Sequence, residues 1–361
     1  MVATIGFFDG VHRGHQCLIR QVQDEALQRG MRSLIITFDR HPRAVFAPGA
    51  VPPLLTTTEE KMALLKATGI DDIYVLPFDK AMAALTAREF MQQVLKEQLG
   101  VKVLVIGYDH RFGRRETIDP ATKSQGTIQE KDAVEGFAEY QGYGREMGIE
   151  VVLAKELEGE HVSSSEIRRA LESGDVQRAA QLLGRSYTWT GRVVHGHEVG
   201  RQLGFPTANL VAVDRSAQGD ASHMKKGQET VGKILPARGA YAVRVKSERP
   251  PSPLKGSVGS EKWDDERVKS EKWDGERVKG EKWDGEEWVA GMLNIGQRPT
   301  IDNGSDISIE VHLFDFEGDL YGQTLTLSFI ARLREERRFA SEEELMAQLQ
   351  ADKQVALSLQ P

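Results

Sequence analysis

Two histidines three residues apart, His12 and His15, stand in the stretch GFFDGVHRGH from Gly6 to His15. An apolar run precedes them and a helical pattern follows, so both imidazoles project from a first helical turn toward one side. Gly14 between them lets a phosphate approach the backbone closely. The free N–H groups of a helix start and the positive end of its dipole complete an anion site. Two imidazoles aimed at it would bind a triphosphate and stabilise charge developing on its α-phosphate. Such transfer needs positioning and electrostatics more than covalent help. The same pair could instead ligate a metal, though no nearby Cys or third His completes a set, or form a plain turn with capping residues.

A second group of such residues lies in GHEVGRQLGFPTANL, Gly196 to Leu210. Gly196, Gly200 and Gly204 make a strip that can lie over phosphates. Pro206-Thr207-Ala208-Asn209 sets Thr207 and Asn209 two apart on an extended segment, facing the same way. A hydroxyl and an amide oxygen are hard ligands suited to Mg²⁺. The competing reading is a glycine-rich turn into a strand, with Thr and Asn satisfying backbone groups. It is not a phosphate loop of the GKS or GKT kind, and His197-Glu198 lacks the second His of a zinc site. GYGREMG (Gly142 to Gly148) nearly mimics a dinucleotide loop but has the wrong spacing and follows a helix. In ISIEVHLFDF, Glu310, His312 and Phe314 share one face of an alternating strand. A carboxylate placed so, if it faces a pocket, could take a proton from a hydroxyl.

The elements that must hold these groups follow two textures. Val2 to Phe7, Ser33 to Phe38, Ile73 to Phe78, Val101 to Gly107 and Ile149 to Ala154 are apolar strands. Helical stretches separate them: Gly14 to Arg29 with a Leu18, Val22, Ala26 stripe, Thr58 to Thr68, Arg88 to Leu99 and Val134 to Met147. This predicts a parallel sheet covered on both faces, with ligands at the carboxyl ends of the strands. Two short helices follow, SSSEIRRALESG and DVQRAAQLLG, the second stopped by Gly184. Beyond a boundary near Leu183, the segments Trp189 to Val194, Ala240 to Val245, Val289 to Ile295, Ser308 to Phe316 and Thr324 to Ala331 alternate like antiparallel strands. A last helix, Ser341 to Leu349, opens with a capping box of Ser341 and Glu344. This half reads as an antiparallel β-barrel with a terminal helix.

Three tandem decapeptides, EKWDDERVKS, EKWDGERVKG and EKWDGEEWVA, fill Glu261 to Ala290. Their period is too short for solenoid units, and their charge marks a solvated insertion running from about residue 247 to 287 in a hairpin of the second domain. The competing role is a docking strip using the tryptophans. A second polar insertion spans about Val213 to Gly232. The chain has 361 residues, enough for two cores, and a net charge of −7 that argues against nucleic acid and anionic membranes. Its single cysteine, Cys17, fits a reducing compartment and a small buried thiol. There is no signal-peptide pattern at the start and no apolar run of membrane length, which predicts a cytoplasmic protein. Nothing in the sequence specifies an oligomer.

The first half resembles the HxGH nucleotidylyltransferases in their FMN adenylyltransferase branch. GFFDGVHRGHQ matches the signature, and TFDRHPRAVF, TTTEEKMALL, IGYDHRFGR and VSSSEIRRAL follow in the branch's order. The resemblance implies a Rossmann-like fold over residues 1–183. It implies ATP contacts from Gly6, Phe7, Asp9, His12, Gly14, His15, Ser164, Ser165 and Arg168, and flavin contacts from Asp109, Arg111 and Phe112. By themselves, Ser163 to Ser165 would be ordinary N-caps. The chain begins closer to its first motif than most such sequences do, and Arg115 to Ala133 is longer than and unlike their loop. The second half, 184–361, resembles the riboflavin kinases through GHEVGRQLGFPTANL, GMLNIGQRPT, IEVHLFDFEGDLYG and LREERRF. That implies ATP contacts from Gly196, Gly200, Gly204, Pro206, Thr207 and Asn209. It also implies Mg²⁺ on Thr207 and Asn209, Glu310 as base on the riboflavin hydroxyl, and Arg334 at the flavin end. Joined in this order, the halves imply a bifunctional flavin-cofactor enzyme using ATP, riboflavin and FMN.

Overall fold

The computed structural model describes residues 1–107, 110–113, 136–157, 159–195, 204–213, 232–248, 287–297, 307–316, 318 and 320–360. They fall into two compact units. The first takes Met1–Glu172, Arg178–Arg185 and His223–Leu235, and the second Ser173–Gln177, Ser186–Ser222 and Pro236–Pro361.

In the first unit β1 (Val2–Ile5), β2 (Ser33–Phe38), β3 (Asp72–Leu76), β4 (Val103–Ile106) and β5 (Glu150–Leu153) form one parallel sheet in the order β3-β2-β1-β4-β5. Every residue of β1, β2 and β4 is buried. Ala3, Ile5, Leu34, Ile36 and Leu104 pack on one face, and Val2, Ile35, Val103 and Val105 on the other. That is why these strands read as unbroken apolar runs. α1 (Arg13–Gln28) buries Ile19, Val22 and Ala26, so the stripe lies one residue over from the expected Leu18, which is only partly covered. Cys17 is half-buried rather than enclosed, and its sulfur accepts from the Gln21 amide at 3.5 Å.

The expected helix over Arg88 to Leu99 is in fact two segments. α5 (Ala87–Phe90), capped by Thr86 with Glu89, runs into a π-helical stretch, Met91–Gln98. Two four-to-five-residue helices, α2 (Arg43–Phe46) and α4 (Lys80–Ala84), were too short for periodicity to show. α3 (Thr58–Ala67) opens on a complete capping box of Thr57 and Glu60. α6 (Phe137–Met147), α7 (Ser164–Ser173) and α8 (Val176–Leu183) are the remaining α-helices up to Leu183 among the described residues. Chain order reverses between β1 and β4, so the loop leaving β1 opens at the switch point where such sheets take ligands.

The second unit is a closed antiparallel barrel. Its order is β10-β7-β6-β11-β8-β9, from β6 (Thr188–Val194), β7 (Ala208–Ala212), β8 (Gly239–Glu248), β9 (Val289–Gln297), β10 (Ile307–Leu313) and β11 (Thr324–Arg334). Closure leaves no unpaired edge. β10 is shorter than the expected strand because the chain turns at Asp315, where φ is +52°. Helix α9 (Glu342–Ser358) is longer than its pattern suggested and sets Ala356 among Ala242, Met292 and Phe314. Only half of its capping box forms: Ser341 accepts from Glu344 N at 3.3 Å, but the Glu344 carboxylate takes Ala340 N at 3.0 Å. Ser247 and Glu248 pair with Leu325 and Thr324, and Val289 and Ala290 are already strand. The charged insertion is therefore a β8–β9 connection narrower than expected. Most of the decapeptides, Arg115 to Ala133 and residues 214–231 lie outside the described residues.

Candidate active sites

The loop after β1 is held in a conformation that side chains resist. Phe8, Gly10 and Val11 have φ of +56°, +82° and +40°. Left-handed backbone is costly for a β-branched residue such as Val11. A side chain at Gly10 would also meet Leu55 Cδ1 at 2.8 Å. The cost is offset by buried polar partners on all sides. The Asp9 carboxylate accepts from Leu55 N at 3.0 Å and from Thr56 N at 3.1 Å, and Arg168 pairs with it. Gly10 N donates to Thr56 Oγ1 at 3.1 Å, and Ser164 Oγ donates to Asp9 O at 3.0 Å. Arg185 donates to Gly10 O at 2.7 Å, and Gln16 to Val11 O at 2.9 Å.

This scaffold delivers the two histidines. His12 is the N-cap of α1, its Nδ1 accepting from His15 N at 3.3 Å. With Nδ1 as acceptor, the proton of a neutral His12 ring lies on Nε2. The two rings stack with centroids 3.6 Å apart and 17° between planes. Burial first, then His12 and His110, hold the His15 pKa well below the ordinary histidine value. His15 Nδ1 is a buried ring nitrogen with no hydrogen-bond partner among the described residues. Buried polar atoms are almost always satisfied, which makes this nitrogen a candidate contact for a bound phosphate.

Gly6 N closes the sheet ladder on Ile36 O at 3.0 Å. The Phe7 ring lies under the ammonium of Lys61 at 4.1 Å and edge-on to His41 at 4.9 Å. Gly14 leaves only 3.2 Å between a would-be Cβ and both the His12 ring and Val162 O. Ser163 caps α7 by accepting Glu166 N at 3.3 Å, so Ser164 and Ser165 lie in its first turn.

Asp9 and Arg168, expected on ATP, pair with each other and bind Pro53–Thr56, Arg168 donating to Pro53 O at 2.7 Å. Phe112 stacks on Tyr140 at 4.3 Å, and Arg111 is exposed. Asp109 lies outside the described residues. Sequence reasoning missed Lys61, 2% exposed, whose Nζ donates to Phe38 O at 2.9 Å. Burial lowers its pKa to about 8, against the opposing pull of Asp9 and Asp39. It also missed Arg185 and His41. His41 lay within a quoted block, whereas an arginine just past a helix end carries no spacing signal.

In the barrel, register does the assembling. Glu310 on β10 stands directly across from Asn209 on β7. Directly opposed residues point to the same face of a sheet. The Glu310 carboxylate accepts from Ser308 Oγ at 2.7 Å and lies 3.5 Å from Thr207 Oγ1. Thr207 sits just before β7, Asn209 is buried, and three oxygen-bearing side chains converge. His312, two residues along, contacts Pro206 O through Nδ1 at 2.8 Å. Since that carbonyl can only accept, Nδ1 carries the proton; burial lowers the His312 pKa and keeps the ring neutral. His312 stands edge-on to Phe205 and Phe314, as the alternation predicted.

Gly204 has φ +75°. Gly196 and Gly200 lie outside the described residues. Arg334, expected at the flavin, donates through Nε to Asp352 at 2.8 Å, tying β11 to α9. Ser308 was missed, although a hydroxyl two residues before a strand glutamate must share its face.

Comparison with known proteins shows the family to which the chain belongs. The family model for FAD synthetase matches residues 1–166, and that for riboflavin kinase matches 183–360. The bifunctional riboflavin kinase/FMN adenylyltransferase of Pseudomonas fluorescens is 33% identical over 99% of this chain and 92% of its own length. The chain belongs to the bifunctional riboflavin kinase/FMN adenylyltransferase family. It is a transferase of both kinds, with ATP, riboflavin and FMN as substrates. The Escherichia coli (strain K12) member of this bifunctional family is 32% identical over 98% of the chain and 91% of its own length. A crystal structure described as a macrolide-efflux protein from Streptococcus pneumoniae superposes with a TM-score of 0.70 at 27% identity, covering 98% of this chain and 93% of that one. Among the described residues of this bifunctional transferase, no helix is long and apolar enough to cross a membrane.

Proposed function

We propose that each reaction belongs to one of the two sites and proceeds without a covalent enzyme intermediate. Residues up to Leu183 carry adenylyl transfer, and 184–361 carry phosphorylation, in the cytoplasm. In the first site a triphosphate rests on the start of α1. His12 Nε2 and His15 Nδ1 meet its α-phosphate, and Gly14, Ser164 and Ser165 offer backbone and hydroxyl donors. The FMN phosphate attacks that phosphorus and pyrophosphate leaves. Gly6 and Phe7 shape the entrance, and Arg111 and Phe112 lie on the flavin side. Asp9 and Arg168 hold the loop beside the ATP phosphates.

In the barrel, Glu310 accepts the proton of the riboflavin 5′-hydroxyl as that oxygen attacks the γ-phosphate of ATP. The donor set fits Mg²⁺: a hydroxyl and an amide oxygen beside a carboxylate are the hard oxygens this ion takes. Thr207 and Asn209 would hold it; when bound it neutralises charge on the transferred phosphoryl group. Gly204 and Pro206, with Gly196 and Gly200, lie along the same phosphates. Arg334 steadies the flavin end from its ion pair with Asp352.

The observation that carries this reading is the convergence of Glu310, Asn209 and Thr207 across the β7–β10 pair. The test is to give purified protein ATP and Mg²⁺ with riboflavin or FMN, and to separate the products by chromatography. His12→Ala abolishes FAD formation and leaves FMN formation. Glu310→Gln stops FMN formation and leaves FAD formation from supplied FMN. Loss of both activities in either folded variant overturns the assignment.

A further inference from the structure

One short segment from the part of the sequence matched as riboflavin kinase packs in the first unit. Gly232 O accepts from Leu54 N at 3.2 Å, and Ile234 N donates to Leu54 O at 2.8 Å, a parallel bridge of Leu54 with Lys233. Ile234 is buried. The Lys233 ammonium grips both carboxylate oxygens of Glu60, at 2.7 and 2.6 Å, from 173 residues away in sequence. Its side chain is 9% exposed. A buried ammonium held this way is an expensive contact to build and costly to lose.

What it holds is the platform of the strained loop. Glu60 also accepts Thr57 N at 3.0 Å, fixing the start of α3. The residues just before it are those the loop grips: Pro53 O takes Arg168, while Leu55 N and Thr56 N donate to Asp9. Leu54, between them, belongs to the bridge with Lys233. Pro53–Thr56 is therefore bound by Asp9 and Arg168 through one set of groups and by the 232–235 strap through another.

We infer that Lys233 is a positioning residue for FMN adenylylation, supplied by the kinase part of the sequence and acting through Glu60 and Pro53–Thr56 on the His12–His15 loop. This rests on assigning FAD formation to that loop. The route is mechanical: without the strap, Pro53–Thr56 relaxes, Asp9 loses its fixed donors, and the imidazoles drift from the phosphates. Sub-ångström placement matters for such transfer, so the effect falls on turnover more than on substrate affinity.

The test uses the full chain and measures both reactions in each variant. Lys233→Met lowers kcat for FAD formation at least tenfold, with KM for FMN changed less and riboflavin phosphorylation within twofold of wild type. Lys233→Arg keeps the charge and recovers most of the loss. The exchanged pair Lys233→Glu with Glu60→Lys recovers more than either single change, as a purely additive defect would not. The inference is overturned if Lys233→Met leaves FAD formation within twofold, if it lowers both activities alike, or if the exchanged pair is no better than its parents. His12→Ala separates the two levels: retained FAD formation there removes the site assignment itself. Its loss beside an active Lys233→Met removes the strap alone.

Discussion

In the sheet unit the reacting groups sit on a loop, and in the barrel they sit on strands. The loop reaches its shape through three left-handed residues within four positions, and the groups that satisfy it come from four separate stretches of chain. The barrel site needs little such help. Once β7 and β10 pair in register, Asn209 and Glu310 are neighbours, and Ser308 follows because strand side chains alternate. A loop-borne site spends stability to place its groups, and a strand-borne site inherits placement from the sheet. Variants should therefore separate activity from stability in the barrel and couple them in the sheet unit.

The sharpest check on the barrel is Glu310→Gln. It keeps the shape and the bond from Ser308, and it should lower riboflavin phosphorylation by about 10²–10⁴-fold. Its urea midpoint should move by no more than about 0.5 kcal/mol equivalent. A large stability loss would break the contrast. Arg168→Met tests the other side: it strands the buried Asp9 carboxylate, so unfolding free energy should fall by about 3–5 kcal/mol together with FAD formation.

Lys61 gives a pH signature. In the unfolded chain it keeps its proton up to about 10.5, and in the fold only to about 8. Between those values the unfolded state binds more protons, so stability attributable to this residue rises with pH. Wild type should gain on Lys61→Met across that window by no more than about 3 kcal/mol. A flat difference would show that the ammonium is not buried. Last, Gly10→Ala puts a methyl on Leu55 in a left-handed residue and should cost about 1–3 kcal/mol.

The sequence carried the local features well. His12 caps α1 and His15 lies in its first turn, so their spacing alone placed both rings on one side. The central strands of the sheet were legible because burial on two faces favours apolar residues. What could not be read were contacts closed by the fold over long separations. The partners of Asp9 within the protein, Leu55, Thr56 and Arg168, are 46 to 159 residues away. Lys61 drew no reading, since nothing in TTTEEKMALL says which face turns inward. Arg334 came from the LREERRF resemblance, and its partner Asp352 lies beyond the segment predicted as the last helix. The β7–β10 register, which assembles the kinase site, depends on how the barrel closes.

The pairing of β8 with β9 persists to Val245 opposite Val289, and Glu248 still pairs with Thr324. Everything the chain adds between residues 249 and 288 thus leaves from the end of β8 and re-enters at the start of β9, its neighbour in the barrel. Closing a loop of that length costs only about 2 kcal/mol more than a four-residue turn, because the entropy grows with the logarithm of length. The barrel can host a long foreign-looking passage there at small expense, and a short turn spliced across the same threshold should leave phosphorylation of riboflavin intact.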